Sequence, residues 1–151
     1  MKITDAFLGE HAVFYAQFTE CEDILDRADL ESLRHMAAVI ASALDTHAQL
    51  EDKLLFEPLA SRLNDELGIF QLMEQEHRQI AQLLGQISTA HTPGRAGELI
   101  SEMIAAARAH FEKEEQVAFP RVEQLLGEHE LRRLGRIWSD ARGVAVEVPA
   151  D

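Results

Sequence analysis

The chain has 151 residues, 46% hydrophobic and 27% charged, which suits one ordinary globular domain with a single sizeable core. Lys and Arg total 14 against 27 Asp and Glu, and the formal charge of -13 leaves no basic stripe for a nucleic-acid backbone. The lone Cys21 excludes a disulfide framework or thiolate cluster within the chain, no apolar run approaches the roughly 20 residues of a membrane span, and MKITDAFLGEH has no secretory pattern, so a cytoplasmic location is expected.

Four stretches carry helical periodicity. In the first, Phe7, His11, Phe14, Phe18, Cys21 and Leu25 follow at steps of three and four, which keeps them on one face. The second runs through Leu33, Ala37, Ile40, Leu44, His47, Glu51 and Leu54, with Asp29 placed to cap its start. Residues Ser61 to Asp65 supply capping groups before the third, whose seam is Phe70, Met73, His77, Ile80, Leu84 and Ile87. After the turn Thr92-Pro93-Gly94, the fourth gives Ala96, Ile100, Met103, Ala107, His110, Glu114 and Val117. Short connections favour antiparallel neighbours, so the expected fold is all-α, an up-down-up-down four-helix bundle over residues 1–126. Residues 127–151 belong to the same domain: Glu128 to Arg142 form a short fifth helix that caps the bundle through Leu131, Leu134 and Trp138, and GVAVEVPAD is a tail or a docked edge.

Six polar residues occupy these apolar seams: His11, His47, Glu51, His77, His110 and Glu114. Counted from the turns at about 1.5 Å of rise per residue, the four histidines reach one level to within a few ångströms. His47 and Glu51, like His110 and Glu114, are four apart and so share a helix face. Glu is almost never fully buried without a partner, and cations between four imidazoles and two carboxylates would compensate both charges. A single seam histidine is ordinarily a hydrogen-bonded core residue; six such residues at one height point to a metal site. Without a thiolate, this donor set suits two iron ions, oxo- or hydroxo-bridged, with manganese or zinc as alternatives. If each glutamate bridges, each metal receives two nitrogens and two oxygens and keeps open positions. His35, His91 and His129 fall off the seam and read as solvated or capping groups. Glu10 and Glu76 precede seam histidines, but adjacent helical residues point about 100° apart, so both are expected at the surface.

The chain also repeats itself. DTHAQLEDKLLFEPL at 45–59 aligns without a gap to RAHFEKEEQVAFPRV at 108–122, and GEH ending at His11 parallels QEH ending at His77. With GEHAVF and EQEHRQI these segments resemble the hemerythrin-like, or HHE cation-binding, family over roughly residues 5 to 126. The resemblance implies a four-helix bundle around a non-haem di-iron centre bridged by two carboxylates, with dioxygen, nitric oxide, peroxide or iron itself as the small partner.

Two departures bear on function. Oxygen carriers of that family have a second histidine four residues from the first on the third helix, where this chain has Met73 and Ala81. They also space the last pair as His-x4-Asp, which would select Glu115; the seam register favours Glu114, since a fifth step turns Glu115 about 140° from His110. Tyr15, one turn after His11, is a candidate substitute ligand or a boundary residue, and Met73 reads as a core filler. The expected function is binding, sensing or reduction of a small oxidant at an open metal position, with peroxidase-, oxidase- or nitric-oxide-handling chemistry if the protein is an enzyme. The alternative is a non-enzymatic iron or oxygen sensor or an iron store or delivery protein, and a reversible oxygen carrier is disfavoured.

Overall fold

The structure, a computed structural model, describes residues 1–60 and 67–145. Helix α1 spans Ile3–Glu22 and α2 spans Leu30–Glu51. The α2 rod continues without a break through a π-helical segment π1, Asp52–Phe56, into α3, Glu57–Ala60. Helix α4 covers Leu67–Thr89. A second continuous rod consists of α5, Pro93–Lys113, the π-helical segment π2, Glu114–Ala118, and α6, Phe119–Leu125. Helix α7, Glu128–Arg142, completes the chain, and there is no strand among the described residues. Residues α1, α2, α4 and α5 contribute to the four bundle rods, with α4 packed most extensively on α5 and α7 lying along α1. Among the described residues, no helix is long and apolar enough to cross a membrane.

Local chemistry fixes the ends. The Asp29 carboxylate accepts from the Ser32 N–H at 2.8 Å, satisfying one of the free donors at the start of α2. Thr92 does the same for Arg95 at 3.2 Å, with Pro93 in the first helical position where its missing N–H costs nothing. The expected caps at Ser61 to Asp65 lie outside the described residues, as do residues 146–151 of the tail. Helix α7 stops at Gly143, whose φ of 63° is the left-handed conformation that glycine adopts without a steric penalty. Gly135 serves a different purpose: a Cβ there would stand 2.5 Å from the Met1 carbonyl oxygen, so only glycine lets α7 approach the start of α1 this closely.

The interior is apolar at both ends and polar in the middle. One cluster, with Phe14, Phe18, Leu33, Ile40, Ile87, Ile100 and Met103, fills the end nearest the α4–α5 turn. The other, with Ile3, Phe7, Leu55, Met73, Phe119, Val122 and Leu131, fills the opposite end under α7. Leu131, Leu134 and Trp138 are buried there, as the capping-helix reading expects.

One seam position differs from expectation. Val117 is 51% exposed and its neighbour Ala118 is fully buried. The cause is π2, which accommodates one more residue per turn than an α-helix and so delays the inward face by one position. At the matching place after Glu51, π1 turns Leu55 fully inward while Leu54 stays buried beside it.

Candidate metal centre

Helices α1, α2 and α4 deliver His11, His47 and His77 to the middle layer, and α5 delivers His110. Both glutamates stand at the junctions where an α-helix passes into a π turn: Glu51 closes α2 and Glu114 opens π2. All six residues meet between the two apolar clusters. His11, His47, Glu51, His110 and Glu114 are at most 1% exposed, and the His77 side chain is 11% exposed.

The six residues sort into two donor groups. His11, His47, Glu51 and Glu114 form one, and Glu51, His77, His110 and Glu114 form the other, each with one ligand atom per residue inside a 4.8 Å span. The glutamates belong to both groups. The Nε2 atoms of the imidazoles face them: His11 Nε2 lies 3.3 Å from a Glu114 oxygen, His47 Nε2 3.3 Å and His77 Nε2 3.6 Å from Glu51, and His110 Nε2 3.2 Å from Glu114.

All four carboxylate oxygens of Glu51 and Glu114 are buried without a hydrogen-bond partner, as is Nε2 of both His77 and His110. Leaving a carboxylate uncompensated in an interior costs several kcal/mol, about what two or three fully buried leucines contribute. Burial and the neighbouring Glu114 push the Glu51 carboxyl well above the usual range. Burial pushes Glu114 up as well, but the imidazoles of His11 and His110 outweigh it and hold that carboxyl low. His47 is pushed down by burial, which favours the neutral imidazole that a metal requires. The donor set therefore fits cations bound between the rods, with nitrogen and oxygen ligands only.

A second set of carboxylates stands outside the first. His11 donates from Nδ1 to Glu115 at 2.9 Å, His47 from Nδ1 to Glu10 at 2.6 Å, and His110 from Nδ1 to Glu76 at 3.1 Å. Nδ1 of His77 faces Asp52 at 3.4 Å, an ionic contact without hydrogen-bond geometry. Because an ionised carboxylate only accepts, each Nδ1–H contact leaves Nε2 as the lone-pair nitrogen facing the centre. The four contacts close a circuit around the bundle: α1 supports the α2 histidine, π1 the α4 histidine, α4 the α5 histidine, and π2 the α1 histidine. In each case the supporting carboxylate is adjacent in sequence to a residue of the inner six.

This corrects the expectation for Glu10 and Glu76. Their side chains are only 16% exposed, because the 100° offset that takes them off their own seam aims them at the next helix. The recurring pairs Glu10-His11, Glu51-Asp52, Glu76-His77 and Glu114-Glu115 were the available signal. Glu10 is held hardest. Trp138 donates to it from Nε1 at 2.9 Å, and Arg142 contacts both oxygens at 2.7 and 3.1 Å. Burial raises the Glu10 carboxyl, yet the bonds from His47 and Arg142 prevail and hold it at about 2.

Glu114, not Glu115, faces the inner layer, in keeping with the seam register. Tyr15 donates its hydroxyl to Glu115 at 3.2 Å, behind His11, and belongs to neither donor group. Burial and then Glu115 push its phenol up to about 12, so it is a neutral donor near neutral pH. Met73 is fully buried in the cluster under α7, and Ala81 is exposed. His35, His91 and His129 are exposed and away from the centre.

A family model described as Hemerythrin HHE cation binding domain matches residues 2–122 and again residues 69–145. Overlapping matches of this kind are what a chain built from two similar helical hairpins produces. No curated protein and no solved structure matches the chain.

Proposed function

Since the chain belongs to the hemerythrin HHE cation-binding family, matched across most of its length, we propose that it holds a pair of iron ions and binds, senses or reduces a small oxidant there. The carrying observation is that Glu51 and Glu114 appear in both donor groups with all four oxygens buried and unpartnered. Two carboxylates shared between two sets of imidazoles are suited to bridging two ions. In this reading His11 and His47 hold one iron, His77 and His110 the other, and each retains positions not filled by protein.

Iron in such a nitrogen and oxygen set supplies a one-electron redox change and a site for dioxygen, peroxide or nitric oxide. The protein's own residues supply the rest. The Nδ1 carboxylates orient the imidazoles and raise their basicity, and the flanking apolar clusters exclude bulk water from the layer. Oxygen storage is the less favoured role, because Met73 and Ala81 leave α4 without a further imidazole to close off a metal position. The test is metal analysis of protein expressed with ample iron, with absorption spectra before and after oxygen, peroxide and nitric oxide. About two irons per chain and a spectrum that responds to one of these molecules are expected. Protein with only trace iron, or an iron spectrum indifferent to all three, would reject the reading.

A further inference from the structure

The iron-pair reading leaves open how a small molecule reaches the centre and which half it meets. A groove with a cavity volume of about 440 Å³ runs between α2 and α4. Its walls are small and apolar, including Ala41, Ala48, Ala81 and Gly85, and it ends on His47, His77 and His110. His11 is absent from its lining and is instead covered by Phe111, stacked at 4.0 Å, and Phe119 at 5.6 Å. His110 is 1% exposed, and its Nε2, without a hydrogen-bond partner, belongs to the floor of this groove. His77 is the most exposed of the four imidazoles and the only one whose Nδ1 lacks a hydrogen-bonded carboxylate. Ala81, one helical turn beyond His77, provides a methyl where a longer side chain would close the way in.

From these features we infer that a small neutral molecule reaches the centre through the α2–α4 groove and binds on the His77–His110 half. Neutrality follows from the setting: the walls are apolar, Asp45 stands at the rim, Arg34 is occupied by the Ala90 carbonyl at 2.6 Å, and the chain's charge of -13 repels anions. The inference rests on the iron-pair reading, and the experiment separates the two.

The probe is nitric oxide, mixed with the reduced, iron-loaded protein and followed by stopped-flow absorbance, with iron content measured on every sample. Ala81→Trp fills the groove beside His77. Gly85→Leu narrows it one turn further out, where a Cβ would meet nothing within 4 Å and the helix gains a better former. Val39→Trp, on a separate groove between α1 and α2, is the control. Ala81→Trp is expected to slow binding by on the order of tenfold or more, Gly85→Leu by less, and Val39→Trp not at all, with iron retained. Wild-type rates in both groove variants, or equal slowing by Val39→Trp, would overturn the route. If Ala81→Trp loses iron, Gly85→Leu decides alone. Absence of iron from the wild-type protein would overturn the route and the iron-pair reading together.

Discussion

The two halves of the polar layer share a motif and differ in everything around it. Around His11 and His47 stand Phe7, Phe14, Phe111 and Phe119, and both Nδ1 atoms are tied to carboxylates by hydrogen bonds. One of those carboxylates, Glu10, is itself gripped by Trp138 and Arg142 of α7. Around His77 and His110 the only phenylalanine close to His77 among the described ring contacts is Phe56, at 6.4 Å, and the α2–α4 groove opens directly onto both imidazoles. A duplicated hairpin has thus been made into a closed half and an open half by residues outside the repeated motif. The closed half is built to retain, the open half to admit.

The strongest way to break this comparison is to remove what the halves share. Glu51→Ala should abolish both iron sites at once, because its oxygens serve both donor groups. Metal analysis would show near-complete loss; a variant that kept one full iron would mean the glutamate belongs to one half alone.

The outer carboxylates test the asymmetry itself. Replacing a residue that supports a metal-binding histidine typically costs about ten- to a hundredfold in affinity. Glu10→Gln should therefore weaken iron retention on the closed half within that range, read by competition with a chelator. Asp52→Asn, which gives up only the 3.4 Å contact to His77, should cost distinctly less. Equal losses would remove the distinction between the halves.

A smaller effect is expected from Gly135→Ala, which would push α7 off the Met1 carbonyl. Overpacking of this kind costs about 1–3 kcal/mol, measurable as a lowered midpoint in thermal unfolding. Because Trp138 and Arg142 travel with α7, iron should be released sooner from the closed half than from the open one.

The smallest effect belongs to Asp29, far from the layer. Its bond to the Ser32 N–H holds the carboxyl below its ordinary 3.8. A depressed carboxyl stabilises fully above the ordinary value and loses that contribution as pH falls through the folded one. Asp29→Asn should flatten the acid side of the stability profile, read as thermal midpoint against pH, while both halves keep their iron affinity.

Much of this was legible in the sequence. Steps of three and four exposed the seams, and equal spacing from the turns brought His11, His47, His77 and His110 to one height. The same device failed for Glu10 and Glu76, because periodicity reports which face of its own helix a residue occupies and not which neighbouring helix that face meets. Val117 failed for another reason: an α-helical period was carried through a stretch that is π-helical, and nothing in EEQVA announces the wider turn. The groove depends on how closely α2 and α4 approach, which small residues such as Ala41, Ala81 and Gly85 permit but do not dictate.

The π turns also set how the chain tolerates changes in its length. Each behaves as a one-residue insertion lodged in a longer helix at a point of functional need. Deleting a single residue between Asp52 and Phe56 would let the rod relax to uniform α-helix and rotate every downstream side chain by about 100°. Leu55 and Phe56 would leave the core together, while His47 and Glu51, upstream, kept their places. The rods are therefore vulnerable to length change just beyond each glutamate, where a substitution leaves the phase intact and a deletion does not.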